Sequence, residues 1–176
     1  MANYREVLKN ASFENDGYIT PKIAQNHGVP AIELRKLASR GAFVKKQRGV
    51  YRDPHYPSVD EFDYLREAVL TLGDGAYITA DTVLQILGIG NLNPRLIHLA
   101  SQKRHRRKLP DHWKLRKANR SERVVRYNGI PAQHAADALK EVKPYVMPER
   151  WEVMVDQAKD EGFILNKHYK ELKEQL

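Results

Sequence analysis

The sequence predicts an α+β protein of two domains, and three features lead to that prediction. Helix-type spacing of apolar residues alternates along the chain with short segments rich in strand-forming residues. Residues 53–58 contain two prolines and read as a linker. The chain has 176 residues, of which 41% are hydrophobic, and this suffices for two small cores. We therefore expect domains at residues 1–54 and 59–176.

Three short helices are predicted before residue 42. Apolar residues at the spacing of one helical face predict a first helix that ends before the turn at Asp16-Gly17. The pair Thr20-Pro21 is typical of a helix N-terminus, and Gly28 is suited to end this second helix. Pro30 then fits the first turn of a third helix over residues 31–40.

A hairpin is predicted directly after the third helix. Residues 42–45 and 50–52 are rich in strand formers, and Gly49 lies between them where a tight turn favours glycine. Helices followed by a two-stranded hairpin form a winged helix-turn-helix. Such a domain binds either DNA, with its last helix in the major groove, or another protein.

Charge is segregated along the chain, whose formal net charge is +8. Residues 1–52 hold ten Lys/Arg and four Asp/Glu, and residues 95–126 hold twelve and two. Residues 53–94 hold one and seven. Basic blocks that flank an acidic segment indicate a polyanionic partner. The alternative is that the acidic segment folds back and neutralises a basic neighbour.

The predicted DNA-binding surface combines the third helix with the hairpin. We expect Arg35 to read a base, because a guanidinium matches the O6/N7 edge of guanine. Glu33 either accepts a hydrogen bond from a cytosine amino group or pairs with Lys36 or Arg40. The remaining cations are expected to hold phosphates and to fix the register on the duplex. The predicted contacts are Thr20, Pro30, Ala31, Ile32, Arg35, Lys36, Arg40, Lys45, Lys46, Arg48 and Tyr51.

The second part of the chain is predicted to be a mixed α/β domain with a small sheet and C-terminal helices. Its turn signals include Asn128-Gly129, and Gly162 breaks the helical pattern near the end. Helices are expected at residues 60–72, 79–87, 132–142, 147–161 and 165–176, with strands at 76–78, 95–100, 113–117 and 123–127.

A second basic patch lies within this part of the chain. It binds nucleic acid, RNA included, or it is a solvated loop. Its members are Lys103, Arg104, Arg106, Arg107, Lys108, Lys114 and Arg116.

The sequence contains no recognisable catalytic, metal-binding or cofactor-binding motif. It has no cysteine, which excludes disulfides and thiolate zinc sites, and no G-x-S-x-G, H-E-x-x-H or P-loop pattern. Asp60, Glu61 and Asp63 either form a carboxylate cluster or simply favour a helix N-terminus. We expect no catalytic residue, no metal and no cofactor. Without an apolar run of membrane-spanning length or a signal-peptide pattern, we expect a cytoplasmic protein without a membrane partner.

Several short motifs occur in an order that resembles a known family. They are Tyr18-Ile19-Thr20, Ser39-Arg40-Gly41, Arg48-Gly49-Val50-Tyr51, Tyr77-Ile78-Thr79, Leu87-Gly88-Ile89, Ile97-His98-Leu99 and Gly129-Ile130-Pro131. Over residues 17–140 the chain resembles the AbiEi-type antitoxins of type IV (abortive-infection) toxin–antitoxin pairs. It departs from them at Ala132-Gln133-His134, where the family often has Thr, Pro and Arg.

The resemblance implies two activities. The protein would repress its own operon by binding repeats in double-stranded DNA, and it would neutralise a nucleotidyltransferase-type toxin. The outward residues of the third helix differ from the family, so the operator sequence does not carry over. The alternatives are a winged-helix transcriptional regulator without a toxin partner, an RNA-binding protein that uses residues 102–117, and a nuclease.

Overall fold

A computed structural model describes residues 3–58 and 60–174. Within them lie eight α-helices and eight β-strands in two small sheets, so the α+β prediction is confirmed. The contacts divide the chain into two compact units between Thr71 and Leu72. No helix in these residues has the length and apolar character needed to cross a membrane. Val59 and Leu176, which bound the second predicted domain and the last predicted helix, lie outside the described residues.

The first unit combines helices with a three-stranded antiparallel sheet. Its elements are α1 (Tyr4–Phe13), β1 (Tyr18–Ile19), α2 (Pro21–Asn26), α3 (Ala31–Ser39), β2 (Val44–Gln47), β3 (Val50–Arg52) and α4 (Asp63–Leu72). The strand order is β1-β3-β2, so the hairpin β2–β3 is joined by the short strand that precedes α2. Thr20 caps α2, because its hydroxyl accepts a hydrogen bond from the Ile23 N–H at 3.2 Å.

One apolar cluster holds α1, α2, α3 and the sheet together. Leu34 of α3 is 0% exposed and packs there, which turns the opposite face of α3 to solvent. The cluster consists of Leu8, Ala11, Ile19, Ala24, Val29, Leu34, Phe43 and Tyr51.

The division between the units lies one helix further along the chain than the predicted linker. Ion pairs bind α4 to the residues before it. Arg52 donates to Asp63 at 2.9 Å and to the Pro57 carbonyl at 3.1 Å. Arg66, 7% exposed, donates two hydrogen bonds to Asp60, at 2.7 and 2.9 Å. The proline-containing segment is therefore a loop inside the first unit.

The second unit contains a mixed five-stranded sheet with helices. Its elements are β4 (Tyr77–Ile78), α5 (Ala80–Ile86), β5 (Ile97–Ser101), β6 (Trp113–Lys117), β7 (Val124–Tyr127), β8 (Ile130–Gln133), α6 (Ala135–Val142), α7 (Pro148–Asp160) and α8 (Asn166–Lys173). The strand order is β6-β5-β4-β8-β7. β5 runs parallel to β6, and β4 runs parallel to β8, whereas β4–β5 and β7–β8 are antiparallel.

The sequence prediction of a helix from residue 132 is wrong at its start. Ile130–Gln133 is a strand, and α6 begins only at Ala135, with His134 as its N-cap. Asn128-Gly129, with φ of 48° and 75°, forms the tight turn of a β-hairpin that returns the chain along β7. Ala132 also pairs with Ile78, so strand pairing on both sides overrides the helix propensity of the alanines.

Candidate nucleic-acid interface

One face of α3 consists of exposed side chains. The side chains of Ile32, Arg35, Lys36 and Arg40 lie on the side opposite the buried Leu34. Ile32 is 51% exposed. Helix α3 thus presents a mixed apolar and basic surface.

The hairpin that follows α3 is exposed and basic. Its turn is tighter than predicted, because β2 extends to Gln47 and leaves only Arg48-Gly49 between the strands. Gly49 adopts a φ of +77°, a left-handed conformation that glycine accepts without strain. Lys45 and Lys46 therefore stand on the strand itself, where the register shifts, and Arg48 stands at the tip.

Most cations of this surface have no internal partner. Arg35, Arg40, Lys45 and Arg48 are exposed and form no ion pair with any residue in the described part of the chain. Lys36 is different, because its Nζ lies 2.8 Å from Glu33 Oε1. Of the alternatives for Glu33, the structure has the pair with Lys36. Lys46 Nζ lies 3.4 Å from Glu67 Oε1.

Not every predicted contact lies on this surface. The side chain of Tyr51 is 7% exposed and packs in the core, so we remove Tyr51 from the predicted interface. The Thr20 hydroxyl is occupied as the cap of α2. Pro30 is the exposed N-cap residue of α3, and Ala31 after it is half-buried.

A partly buried network of polar side chains links strand β3 of the hairpin to helix α4. Arg52 of β3 donates to the phenol oxygen of Tyr18 at 2.8 Å, and Tyr18 donates to Glu67 Oε1 at 3.1 Å. Burial and the nearby Glu67 carboxylate raise the pKa of Tyr18 well above its usual value, so the phenol keeps its proton. The network fixes β3 against α4. No spacing in the sequence signals it, because its members are far apart along the chain.

The acidic residues at the start of α4 bind guanidinium groups. Asp60 pairs with Arg66, and Asp63 accepts hydrogen bonds from both Arg52 and Arg66. The hydrogen bonds from Arg66 hold the pKa of Asp60 below its usual value. Across residues 3–58 and 60–174, no group of three or more histidines and carboxylates is arranged to hold a metal ion.

The second basic patch divides into paired and unpaired cations. Arg116 is paired: its Nη2 lies 2.8 Å from Glu122 and 2.8 Å from Glu141, so we remove it from the patch. Tyr77 donates to Glu122, and burial together with this carboxylate raises the pKa of Tyr77 to about 12. Lys108 lies 3.7 Å from Asp111 in an exposed pair.

Four members of the patch in the loop after β5 and on β6 are exposed and form no ion pair with a residue that the structure describes: Lys103, Arg104, Arg106 and Lys114. Arg107 is half-buried and does not belong to this unpaired set. Two further exposed cations, Lys117 and Arg120, were not predicted as part of this patch. The sequence could have indicated both, because Lys117 is the last residue of the predicted strand 113–117 and Arg120 lies in the loop that follows it.

No protein-family model matches the chain, and no curated protein matches it significantly. The functional argument therefore depends on the fold of each unit and on the distribution of paired and unpaired charges.

Proposed function

We propose that this protein is a DNA-binding antitoxin of a type IV toxin–antitoxin pair. Its first unit acts as a winged helix-turn-helix that binds operator repeats in double-stranded DNA and represses the protein's own operon. The protein also neutralises a nucleotidyltransferase-type toxin, and it acts in the cytoplasm. The observation that carries the DNA-binding proposal is the set of four unpaired cations, Arg35, Arg40, Lys45 and Arg48, on α3 and the following hairpin.

Helix α3 has dimensions that suit the major groove. Its nine residues span roughly 13 Å along the axis, with a diameter of about 10–12 Å, and the groove is about 12 Å wide. With Leu34 anchored in the core, Ile32 and Arg35 face outward together, one helical turn apart. We assign base reading to Arg35, whose guanidinium pairs with no carboxylate in residues 3–58 and 60–174.

The hairpin has a different role in this proposal. Arg48 at the turn and Lys45 on β2 supply charge without a fixed partner, so they hold phosphates beside the groove. The network of Arg52, Tyr18 and Asp63 makes the hairpin rigid, which lowers the entropy lost on binding. Lys36 and Lys46 contribute less, because each gives up a carboxylate partner to bind DNA.

The antitoxin role is supported by the ordered motifs over residues 17–140 that resemble the AbiEi family. We assign toxin neutralisation to the second unit, since this proposal assigns DNA binding to the first. The departure from the family pattern at Ala132-Gln133-His134 falls in β8 and the cap of α6.

Two experiments test the proposal. In the first, the full chain is mixed with its own upstream promoter fragment at low ionic strength, and retention is measured by electrophoretic mobility shift. We expect specific retention, and failure to retain the fragment would remove the operator role.

In the second experiment the chain is co-expressed with the gene next to its own, and growth is scored. Rescue of growth from a toxic neighbour supports the antitoxin role. Promoter binding with a neighbour that has no effect on growth would instead identify a transcriptional regulator without a toxin.

A further inference from the structure

We propose that the second unit binds single-stranded nucleic acid in an open cavity at the carboxyl ends of β5 and β6, where Lys117 and Arg120 hold a backbone phosphate. This inference is separate from the proposed operator binding, because every residue that carries it lies beyond Leu72.

The cavity lies where two parallel strands end side by side. It has a volume of about 510 Å³ and is lined by Gln102, Lys117, Ala118, Asn119 and Arg120. Ser101 at the end of β5 pairs with Lys117 at the end of β6, and the Ala118 N–H donates to the Ser101 carbonyl at 2.9 Å. Loops that leave the carboxyl ends of adjacent parallel strands commonly build ligand sites.

The charge around the cavity is positive and unneutralised. Lys117 and Arg120 are exposed, and neither forms an ion pair with a residue that the structure describes; the same holds for Lys103, Arg104 and Arg106 in the adjoining loop. None of the described residues that line the cavity is a carboxylate. Other cations of this unit are paired with carboxylates, among them Arg116, Arg123, Lys140 and Lys173. Unpaired cations concentrated around a concave surface favour an anionic ligand.

A histidine folds the basic loop back onto the strand end. His105 Nε2 lies 3.2 Å from Ser101 Oγ, and the Lys103 N–H donates to the same oxygen at 3.2 Å. Burial, followed by the charges of Arg107 and Lys103, lowers the pKa of His105. These two contacts hold the start of the basic loop against the end of β5, beside Gln102 of the cavity lining.

The shape favours a single strand over a duplex. A cavity of this volume is in the range of small-molecule sites and accepts one unstacked nucleotide, which a base-paired duplex does not offer. Gln102 and the N–H₂ group of Asn119 can bond to a base edge, since Ser121 occupies only the Asn119 carbonyl oxygen. Arg104 and Arg106 lie outside the cavity lining and suit the phosphates of neighbouring nucleotides.

The test uses the full chain and fluorescein-labelled twelve-nucleotide probes, oligo(U) and oligo(dT), in an anisotropy titration. Lys117→Ala/Arg120→Ala should weaken binding of the single strands about tenfold or more at 50 mM salt. The matched control, Lys159→Ala/Lys170→Ala, removes the same charge from α7 and α8 and should have little effect. Equal binding by the cavity variant and the control would overturn the proposal.

A second measurement uses the unmodified protein. Since a bound phosphate offsets the repulsion from Arg107 and Lys103, adding oligo(U) should raise the pKa of His105, followed by NMR of its ring proton. Saturating oligo(U) that leaves the His105 titration unmoved would place single-strand binding elsewhere. Promoter binding is measured on duplex DNA, so the failure of either proposal leaves the other standing.

Discussion

The number of unpaired cations on α3 and the hairpin determines how steeply DNA binding should fall with salt. Four form no ion pair with a residue that the structure describes, Arg35, Arg40, Lys45 and Arg48, and two more, Lys36 and Lys46, are paired with glutamates. Four to six phosphate contacts correspond to a slope of log K against log salt of about −4 to −5. Between 50 and 200 mM salt the affinity of one first unit for duplex DNA should therefore fall by about 10²–10³.

Arg48→Ala tests this reasoning at one position. Loss of one phosphate contact should make the slope less steep by about 0.9, on the operator and on random duplex alike. The assay is fluorescence anisotropy over a series of KCl concentrations, with Lys170→Ala on α8 as the control for a change in net charge. A slope for Arg48→Ala equal to that of the control would refute the assignment of the hairpin tip to a phosphate.

Three further predictions concern base reading, the core and pH. Arg35→Ala should cost roughly 1–3 kcal/mol on the operator and little on random duplex; equal losses on both would remove Arg35 from base reading. Leu34→Ala should lower the free energy of unfolding by about 2–5 kcal/mol in urea titrations, because the side chain is fully buried, whereas the exposed Ile32→Ala should cost far less. Burial, together with Arg123, lowers the pKa of His168. In the unfolded chain a histidine has a pKa near ~6.5, so on acidification the unfolded state binds a proton before the folded state does. The free energy of unfolding should therefore fall as the pH drops below that value, and His168→Gln should reduce this fall. A variant with the unchanged pH profile would contradict the assignment.

Local sequence signals predicted most of the first unit. The cap at Thr20, the proline before α3 and the glycines after α2 and α3 each act within a few residues, so the helix bounds followed directly. Strand β2 of the hairpin begins and ends two residues later than predicted, at Val44–Gln47. Strand formers mark a strand, but the pairing partner determines where it ends.

Long-range contacts account for what the sequence did not predict. Strand β8 has the composition of a helix start, yet pairing with β4 and β7 makes it a strand. Its existence could have been inferred from Asn128-Gly129, a pair typical of two-residue hairpins.

The candidate sites also depend on long-range contacts that the sequence does not reveal. Arg116 and Arg120 look alike in the sequence, and only the fold places Glu122 and Glu141 beside Arg116 and leaves Arg120 at an open cavity. Tyr51 was assigned to the interface from its place in a basic segment, but its ring packs in the core, on a strand whose neighbouring Val50 is also buried. Sequence charge therefore identifies the basic segments, and the fold decides which of their side chains are paired with carboxylates and which are exposed.

The most direct test of DNA binding through α3 and the hairpin is one comparison on the upstream promoter duplex. It sets the unmodified chain against a variant in which Arg35, Arg40, Lys45 and Arg48 are all alanine, at 50 mM salt, with thermal unfolding followed by circular dichroism to confirm that both fold. We predict that the unmodified chain retains the duplex and that the variant loses it while melting at a similar temperature. Equal retention by the two chains would contradict the account.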